Sequence, residues 1–247
     1  MVLERVRLDQ ALVGQGLVSS RQRAQAMVRA GLVRIAGHPV DRPDQLVDPS
    51  IQLELVSSAS VGGYVSRGGD KLNAALDVFA VSVAGRACLD VGASTGGFTD
   101  VLLRRGAATV IAVDVGYGQL AWALRQDPRV TVLERVNIRY LQTLPAAADL
   151  AVIDVSFISL RLVLPPVRRL LNPPADVIAL VKPQFEVGKG AVGKGGVVRN
   201  PEQHQSVLDG LREFGAGQGY KVLAEIPSPI LGAKGNREFF LHFRSDG

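Results

Sequence analysis

Ala87-Cys88-Leu89-Asp90-Val91-Gly92-Ala93-Ser94-Thr95-Gly96-Gly97-Phe98-Thr99-Asp100 is the stretch whose reading decides the fold. It begins as a short apolar strand ending in Asp90, passes through a glycine-rich turn from Gly92 to Gly97, and continues as an amphipathic run from Phe98 through Val101, Leu102 and Leu103. A strand, a glycine turn and a helix in that order leave the unpaired N–H groups of a helix start facing the crevice where open α/β sheets bind ligands. The dinucleotide fingerprint G-x-G-x-x-G is not met, because Ser94 stands at its second glycine and the turn reads G-x-x-x-G-G. NAD is therefore disfavoured. Asp90, just before the turn, would repel a phosphate and attract a ligand carrying a free ammonium group.

S-adenosylmethionine (SAM) carries such an ammonium. The next apolar run, Ala108 to Val113, ends at Asp114, where these folds keep a carboxylate for ribose hydroxyls, at a suitable spacing from Asp90. An acidic residue there also serves as a cap for the following segment. The pair of carboxylates is more informative than either alone.

With 247 residues, 47% of them hydrophobic, the chain has material for one large domain or for one large and one small. No apolar run reaches membrane-spanning length, since Asp154, Arg161 and Lys182 interrupt the most hydrophobic stretches. Glu4, Arg5 and Arg7 stand where a signal peptide would need its apolar core, so a cytoplasmic protein is expected. The single cysteine, Cys88, lies inside the first strand and reads as a small buried hydrophobe. His38, His204 and His242 show no ligand spacing, and no metal is expected. The formal charge of +5 and an isoelectric point near 9.7 favour an anionic partner. All six lysines lie at position 71 or later, so the basic residues of the first 70 are arginines alone. Arginine suits bidentate phosphate contacts and stacking on bases.

Outward from the central turn, the N-terminal 56 residues read as a small α+β module. Helical spacing predicts one helix over Arg7 to Gly14, closed by Gly16, and a second over Arg21 to Ala30, capped by Ser19 or Ser20 and ended by Gly31. Leu32 to Ile35 and Ile51 to Val56 read as strands. Ser57 to Gly63 is small, polar and glycine-ended, a linker between domains. An amphipathic helix follows, with Lys71 at its start and Leu72, Ala75, Leu76 and Phe79 inward. Strands are expected at Val130 to Glu134, Leu150 to Val155 and Val177 to Val181, with helices at Tyr117 to Asp127 and Ser159 to Leu171, the latter broken by Pro165 and Pro166. Near-continuous apolar strands alternating with helices predict a parallel sheet covered on both faces. Tyr220 to Ala224 and Glu238 to Phe243 are expected to add final strands. Gln184 to Asn200 is a glycine-rich loop that nearly spells a P-loop, but Gly195 replaces the hydroxyl residue, so ATP is rejected and Lys189 and Lys194 read as an RNA clamp or lid.

Two resemblances sharpen the reading. Residues 1–56 resemble the S4 RNA-binding domain in Arg7-Leu8-Asp9, in the Gly16-Leu17-Val18 link running to Ser20-Arg21 and Ala24, and in the pattern from Ala30 to Gly37. Residues 64–243 resemble the FtsJ-type 2'-O-ribose methyltransferases, which puts a methyltransferase domain over residues 64–247. The matching stretches are Ser66 to Leu72, Cys88 to Thr99, Asp114 to Leu120, Asp154 to Leu160 and Val181 to Gly190. The whole chain is similar to the TlyA (haemolysin A) family, in which an S4 domain precedes that methyltransferase domain.

The resemblance implies a Rossmann-like, class I SAM-dependent methyltransferase sheet behind a small S4 domain, with residues 57–63 between them. It implies a catalytic tetrad of Lys71, Asp154, Lys182 and Glu238, with Lys182 as the base. For SAM it implies Asp90 at the methionine ammonium, Gly92, Ala93, Ser94, Thr95, Gly96, Gly97 and Phe98 around the methionine, Asp114 and Val115 at the ribose, Asn137 and Ile138 at the adenine, and Asp154 beside the transferred methyl. The basic residues expected to meet RNA are Arg5, Arg7, Arg21, Arg23, Arg42, Arg67, Arg135, Arg139, Lys189 and Lys194. The implied substrate is ribosomal RNA within a ribosomal subunit, a cytidine of 23S rRNA foremost, with 16S rRNA as the alternative further target, acted on by a monomer. Gly62-Gly63-Tyr64 departs from the family pattern at the domain junction, and a C-terminal extension found in some members is absent after Gly247, which weighs against a target in both subunits. A membrane-active haemolysin is the competing reading from the family's older name, but no strongly amphipathic basic helix supports it. A non-catalytic RNA-binding protein is the other, and the intact tetrad weighs against it.

Overall fold

The structure, a computed structural model, describes residues 5–18, 20–29, 33–55, 63–188, 190, 192–193 and 195–247. The chain divides into two compact units, Met1–Ala59 and Ser60–Gly247. Ser19, Ala30 to Leu32 and Val56 to Gly62, which carry parts of the expected caps, strands and linker, lie outside the described residues.

In the first unit, helices Leu8–Gly14 and Arg21–Arg29 pack against short strands. Val6–Arg7 pairs antiparallel with Leu46–Val47, and Val33–Ile35 pairs antiparallel with both His38–Pro39 and Leu53–Leu55. Leu8, Leu12, Ala24 and Val28, which helical spacing turns inward, are fully buried together with Val33 of the strand, whereas Val13, expected on the same face as Leu8 and Leu12, is exposed. The first helix begins one residue later than expected, because Arg7 ends a strand.

The second unit is built on seven strands: β1 (Ala87–Val91), β2 (Thr109–Asp114), β3 (Val130–Glu134), β4 (Leu150–Ile153), β5 (Ala175–Val181), β6 (Lys221–Pro227) and β7 (Phe239–Ser245). Their order is β6-β7-β5-β4-β1-β2-β3. The five strands from β5 to β3 run parallel, while β7 lies antiparallel between β5 and β6. Period-two alternation divides their side chains between two cores. Leu89, Val91, Ile111, Val113, Ala151 and Ile153 belong to one, and Cys88, Val110, Ala112, Leu150 and Val152 to the other. That is why each strand reads as an unbroken apolar run.

Helix α1 (Gly68–Val78), α2 (Gly97–Arg104) and the short α3 (Trp122–Arg125) contribute Leu72, Leu76, Leu102 and Leu124 to the core that holds Cys88. Helix α4 (Leu164–Leu170) contributes Leu164 and Val167 to the opposite core. After α5 (Pro183–Glu186), α6 (Pro201–Gly217) adds Val207, Leu208 and Leu211 there.

Three expectations are corrected. The helix expected over Tyr117 to Asp127 is only α3, since Gly116 and Gly118 turn the chain before it. The segment Ser159 to Leu171 is not broken by its prolines: Leu160–Leu162 forms a 3-10 turn, and Pro165 sits in the first turn of α4, where a missing N–H costs no hydrogen bond. Helix α6 was not expected at all.

Candidate active site

The switch in strand order, where β1 lies between β4 and β2, opens a cavity of about 820 Å³ at the carboxyl ends of these strands. Gly92 turns the chain there with φ +86°, and its N–H donates to Val113 O at 2.8 Å. A β-carbon on Gly92 would stand 2.5 Å from the carbonyl oxygen of Asp154, so only glycine lets the turn pass this close to β4. Ser94 N–H donates to Asp114 Oδ2 at 2.8 Å, and Gly116 N–H to Asp114 Oδ1 at 2.6 Å. Asp114 thus holds the glycine turn in place while remaining on the cavity wall.

Of the residues expected to hold a cofactor, Gly92, Ser94, Asp114, Val115, Asn137, Ile138 and Asp154 line this cavity. Asp90, Ala93, Thr95, Gly96, Gly97 and Phe98 do not. Phe98 is a core residue, its ring 6.3 Å from that of Phe240. Asn137 Oδ1 accepts from Arg139 N–H at 3.1 Å and so fixes the 3-10 turn Ile138–Tyr140.

Asp90 lies behind the wall, fully buried. Thr99 Oγ1 donates to its Oδ2 at 2.6 Å, and its Oδ1 is buried with no hydrogen-bond partner among the described residues. Burial pushes this carboxyl up to about 7, the Thr99 hydrogen bond opposing the shift and the charge of Asp154 adding to it. An orphaned carboxylate oxygen beside a glycine turn, an acidic residue on the next strand end and a polar cavity between them fit an amino acid–nucleoside ligand such as SAM.

The expected tetrad forms two ion pairs at the same edge of the sheet. Lys71 Nζ, from the first turn of α1, lies 2.6 Å from Glu238 Oε2, and Lys182 Nζ lies 2.5 Å from Asp154 Oδ1. Topology explains the gathering. Asp154 and Lys182 follow the neighbouring parallel strands β4 and β5, and the ladder pair Val181–Phe239 sets Lys182 beside Glu238 at its end. The side chains of Lys71, Lys182 and Glu238 are no more than 12% exposed. Such buried pairs are poor stabilisers, because desolvation offsets their attraction.

Four residues beside this site were not singled out from sequence. Ser156 Oγ accepts from Lys182 Nζ at 2.9 Å. Phe157, with φ +64°, is 90% exposed on the cavity rim, its ring 5.0 Å from that of Phe185, which also lines the cavity. Glu186 accepts from Ser159 Oγ at 2.6 Å and Leu160 N–H at 2.8 Å, and burial raises its pKa. The stretch Asp154 to Leu160 contains the signal for the first two, polar and aromatic side chains directly after the Asp154 carboxylate.

The basic residues divide by unit. In the first, Arg21 is exposed, yet its guanidinium and that of Arg7 reach the fully buried Asp9 at 3.1 and 3.0 Å, joined by Gln25 at 2.7 Å. Arg5 is exposed, Arg42 is exposed and 3.4 Å from Asp44, and Arg23 lies on the second helix. In the second unit Arg67 is exposed, Arg135 stacks on Tyr117 at 4.2 Å, and Arg139 lines the cavity with its guanidinium 5.0 Å from the Tyr140 ring. Lys189 and Lys194 lie outside the described residues. Among the described residues no group of three or more His, Cys, Asp or Glu could hold a metal ion, and no helix is long and apolar enough to cross a membrane.

Residues 64–245 match the FtsJ-like methyltransferase family and residues 6–51 the S4 domain. The chain is 50% identical over 243 residues to the 16S/23S rRNA (cytidine-2'-O)-methyltransferase TlyA of Mycobacterium tuberculosis, covering 98% of this chain and 90% of that protein. It is 38% identical to Hemolysin A of Brachyspira hyodysenteriae, over 96% of this chain and 99% of that one. A solved structure from Streptococcus thermophilus that carries a hemolysin name superposes with a TM-score of 0.75 at 43% identity, covering 99% of this chain and 90% of its own. With an S4 domain ahead of an FtsJ-like domain and this identity along nearly the full length, the chain belongs to the TlyA (haemolysin A) family of FtsJ-like methyltransferases.

Proposed function

We propose that the protein transfers the methyl group of SAM to a ribose 2'-hydroxyl of ribosomal RNA, that of a cytidine of 23S rRNA, acting in the cytoplasm as a monomer. The observation that carries this reading is the pair of buried lysine–carboxylate contacts beside the cavity. SAM, when bound, supplies a methyl group already activated on a sulfonium, so the protein has to align the hydroxyl and remove one proton. Lys182 first gives up its own proton to solvent, and its free amine Nζ then accepts the proton of the hydroxyl. Asp154 and Ser156 fix the direction of Nζ, and the Asp154 carboxylate stabilises the ammonium that proton removal creates. Lys71 and Glu238 hold the hydroxyl from the neighbouring strand end. Asp114 and Asn137 meet the nucleoside of SAM, Val115 and Ile138 flank it, and Asp90 Oδ1 takes the ammonium. The remaining turn residues, Ala93, Thr95, Gly96, Gly97 and Phe98, support the methionine end by shaping the turn. Phe157 offers an exposed aromatic face on which a base beside the reacting ribose stacks. The S4 unit and the exposed arginines hold the RNA by its phosphates.

Single-turnover transfer of labelled methyl to rRNA, measured beside a melting curve, tests the assignment. Lys182→Ala is expected to fold, to bind SAM as wild type does, and to lose transfer by about a hundredfold or more, the range of general acid–base roles. Retention of more than about a tenth of the wild-type rate contradicts the tetrad reading.

A further inference from the structure

The second unit has another cavity, of about 730 Å³, that the catalytic reading leaves unused. It lies at the start of α6, between the segment 197–201 and the loop 231–237. Arg199, Lys234 and Arg237 line it together with the apolar side chains of Leu208, Leu231 and Phe239. No carboxylate is among its lining residues, and none of the three cations is ion-paired or hydrogen-bonded among the described residues. Several other arginines of this unit are partnered, Arg86 with Asp149 and Asp176, Arg105 with Asp77, Arg212 with Asp209 and Glu225, but Arg67 and Arg169 stand singly among the described residues and line neither cavity with other cations. Three exposed, uncompensated cations converging on an apolar-walled hollow present a field that favours an anion.

The loop that carries two of these cations also touches the catalytic carboxylate. Gly232 abuts Glu238, where a β-carbon would stand 1.9 Å from Oε1, and Gly232 N–H donates to Asn236 O at 2.8 Å. Asn236, 2% exposed, fastens the loop to the other wall: its Oδ1 accepts from Val198 N–H at 3.0 Å and its Nδ2 donates to Gly196 O at 3.0 Å. Lys234 is held at φ +58°, a conformation that non-glycine residues rarely keep without a compensating role. One short loop therefore has the catalytic Glu238 on one side and the basic cavity on the other.

We propose that this cavity binds the RNA strand flanking the reacting ribose, with Arg199, Lys234 and Arg237 on its backbone phosphates and Leu231 and Phe239 against a sugar or base. The proposal rests on the 2'-O-methyl-transfer reading for what occupies the neighbouring site. Volume and lining suit a single nucleotide. The ligand reaches Glu238 only through the loop, so its contribution is to substrate affinity and not to proton transfer.

The test uses the full chain and the triple variant Arg199→Gln/Lys234→Gln/Arg237→Gln, with an unstructured single-stranded RNA oligonucleotide as the binding probe. Affinity is read between about 50 and 200 mM salt, where phosphate contacts reveal themselves through counterion release. The variant is expected to melt like wild type, to keep its SAM affinity, and to bind RNA about tenfold or more weakly, with the log–log salt slope flattened by about 2 (~0.7 for each phosphate no longer neutralised). Its transfer rate at saturating rRNA is expected to stay within about twofold of wild type while the KM for RNA rises. A wild-type salt slope in the correctly folded variant overturns the proposal. So does competition in which excess inorganic phosphate or a free nucleotide displaces the RNA fully from the wild type, since the cavity would then be a small-anion site. If wild type transfers no methyl to rRNA, the catalytic reading fails on its own, and the binding comparison still decides the cavity.

Discussion

At the scale of single residues, Asp90 links protonation to ligand binding. Its carboxyl is fully buried and pushed up to about 7, against about 3.9 for an unfolded aspartate. Between those values the folded protein holds a proton that the unfolded chain releases, so this group stabilises the fold at low pH and loses that contribution as pH rises toward 7. An ammonium brought to Oδ1 favours the ionised form. SAM binding is therefore expected to release close to one proton at pH about 6 and to strengthen as pH rises from about 5 to 7. Calorimetry in buffers of different ionisation heat measures the release directly, and Asp90→Asn should abolish it and weaken affinity. Proton-neutral binding by the wild type would separate Asp90 from the ammonium. Asp90, Lys71, Asp154, Lys182 and Glu238 were legible in the sequence because each ends or begins an element beside a recognisable motif. Asp9 was not: an aspartate on the first turn of a helix looks solvated until the fold places Arg7, Arg21 and Gln25 around it.

At the scale of elements, the glycine turn after β1 tests how closely a strand end must approach its neighbour. Gly92 sits at φ +86° with the Asp154 carbonyl directly against its α-carbon. Gly92→Ala adds a left-handed strain of about 1–2 kcal/mol and a steric conflict whose relief moves Asp154, the partner of Lys182. We expect the variant to fold, to melt a few degrees lower, and to lose methyl transfer far more than its stability loss explains; wild-type transfer per folded molecule would show that the turn does not position Asp154. The strands were readable because burial on both faces leaves only apolar residues in them. Helix α6 was obscured by Gly210, Gly215 and Gly217, which weaken a helical pattern. The structure supplies the reason for one of them: a β-carbon on Gly215 would lie 2.6 Å from the Phe243 ring, so the glycine lets α6 press against β7. Asn200 caps the start of α6, its Oδ1 accepting from Glu202 N–H at 2.8 Å, with Pro201 in the first turn.

At the scale of the whole molecule, the chain divides into two compact units of unequal size, and the smaller encloses one charged carboxylate, Asp9. Asp9 is fully enclosed, and its pKa is held well below the usual carboxylate range by the Arg7 hydrogen bonds, against the cost of burial, with Gln25 and Arg21 adding to the effect. A depressed carboxylate contributes stability above its unfolded value near 3.9 and loses it as pH falls through that value toward the folded one. Because Arg7 and Arg21 are 35% and 50% exposed, removing the Asp9 charge leaves no buried cation unpaired, and the lost charged hydrogen bonds cost about 1.5–3 kcal/mol, whereas a unit of this length, Met1–Ala59, has roughly 3–9 kcal/mol in total. Asp9→Asn is therefore expected to destabilise the first unit markedly at neutral pH while leaving the second unit and SAM binding intact. In the wild-type protein the smaller calorimetric transition should move to lower temperature as the solution is acidified below about pH 4. The same dependence alters how the RNA face must be tested. Reversing the charge of Arg7 or Arg21 removes a partner of Asp9 as well as a phosphate contact, so weaker RNA binding by those variants would report unfolding. Arg42, exposed and only loosely paired with Asp44, separates the two effects: Arg42→Glu should leave the small transition in place and flatten the salt dependence of RNA binding by about one unit of slope. An unaltered slope in that folded variant would exclude Arg42 from the RNA face.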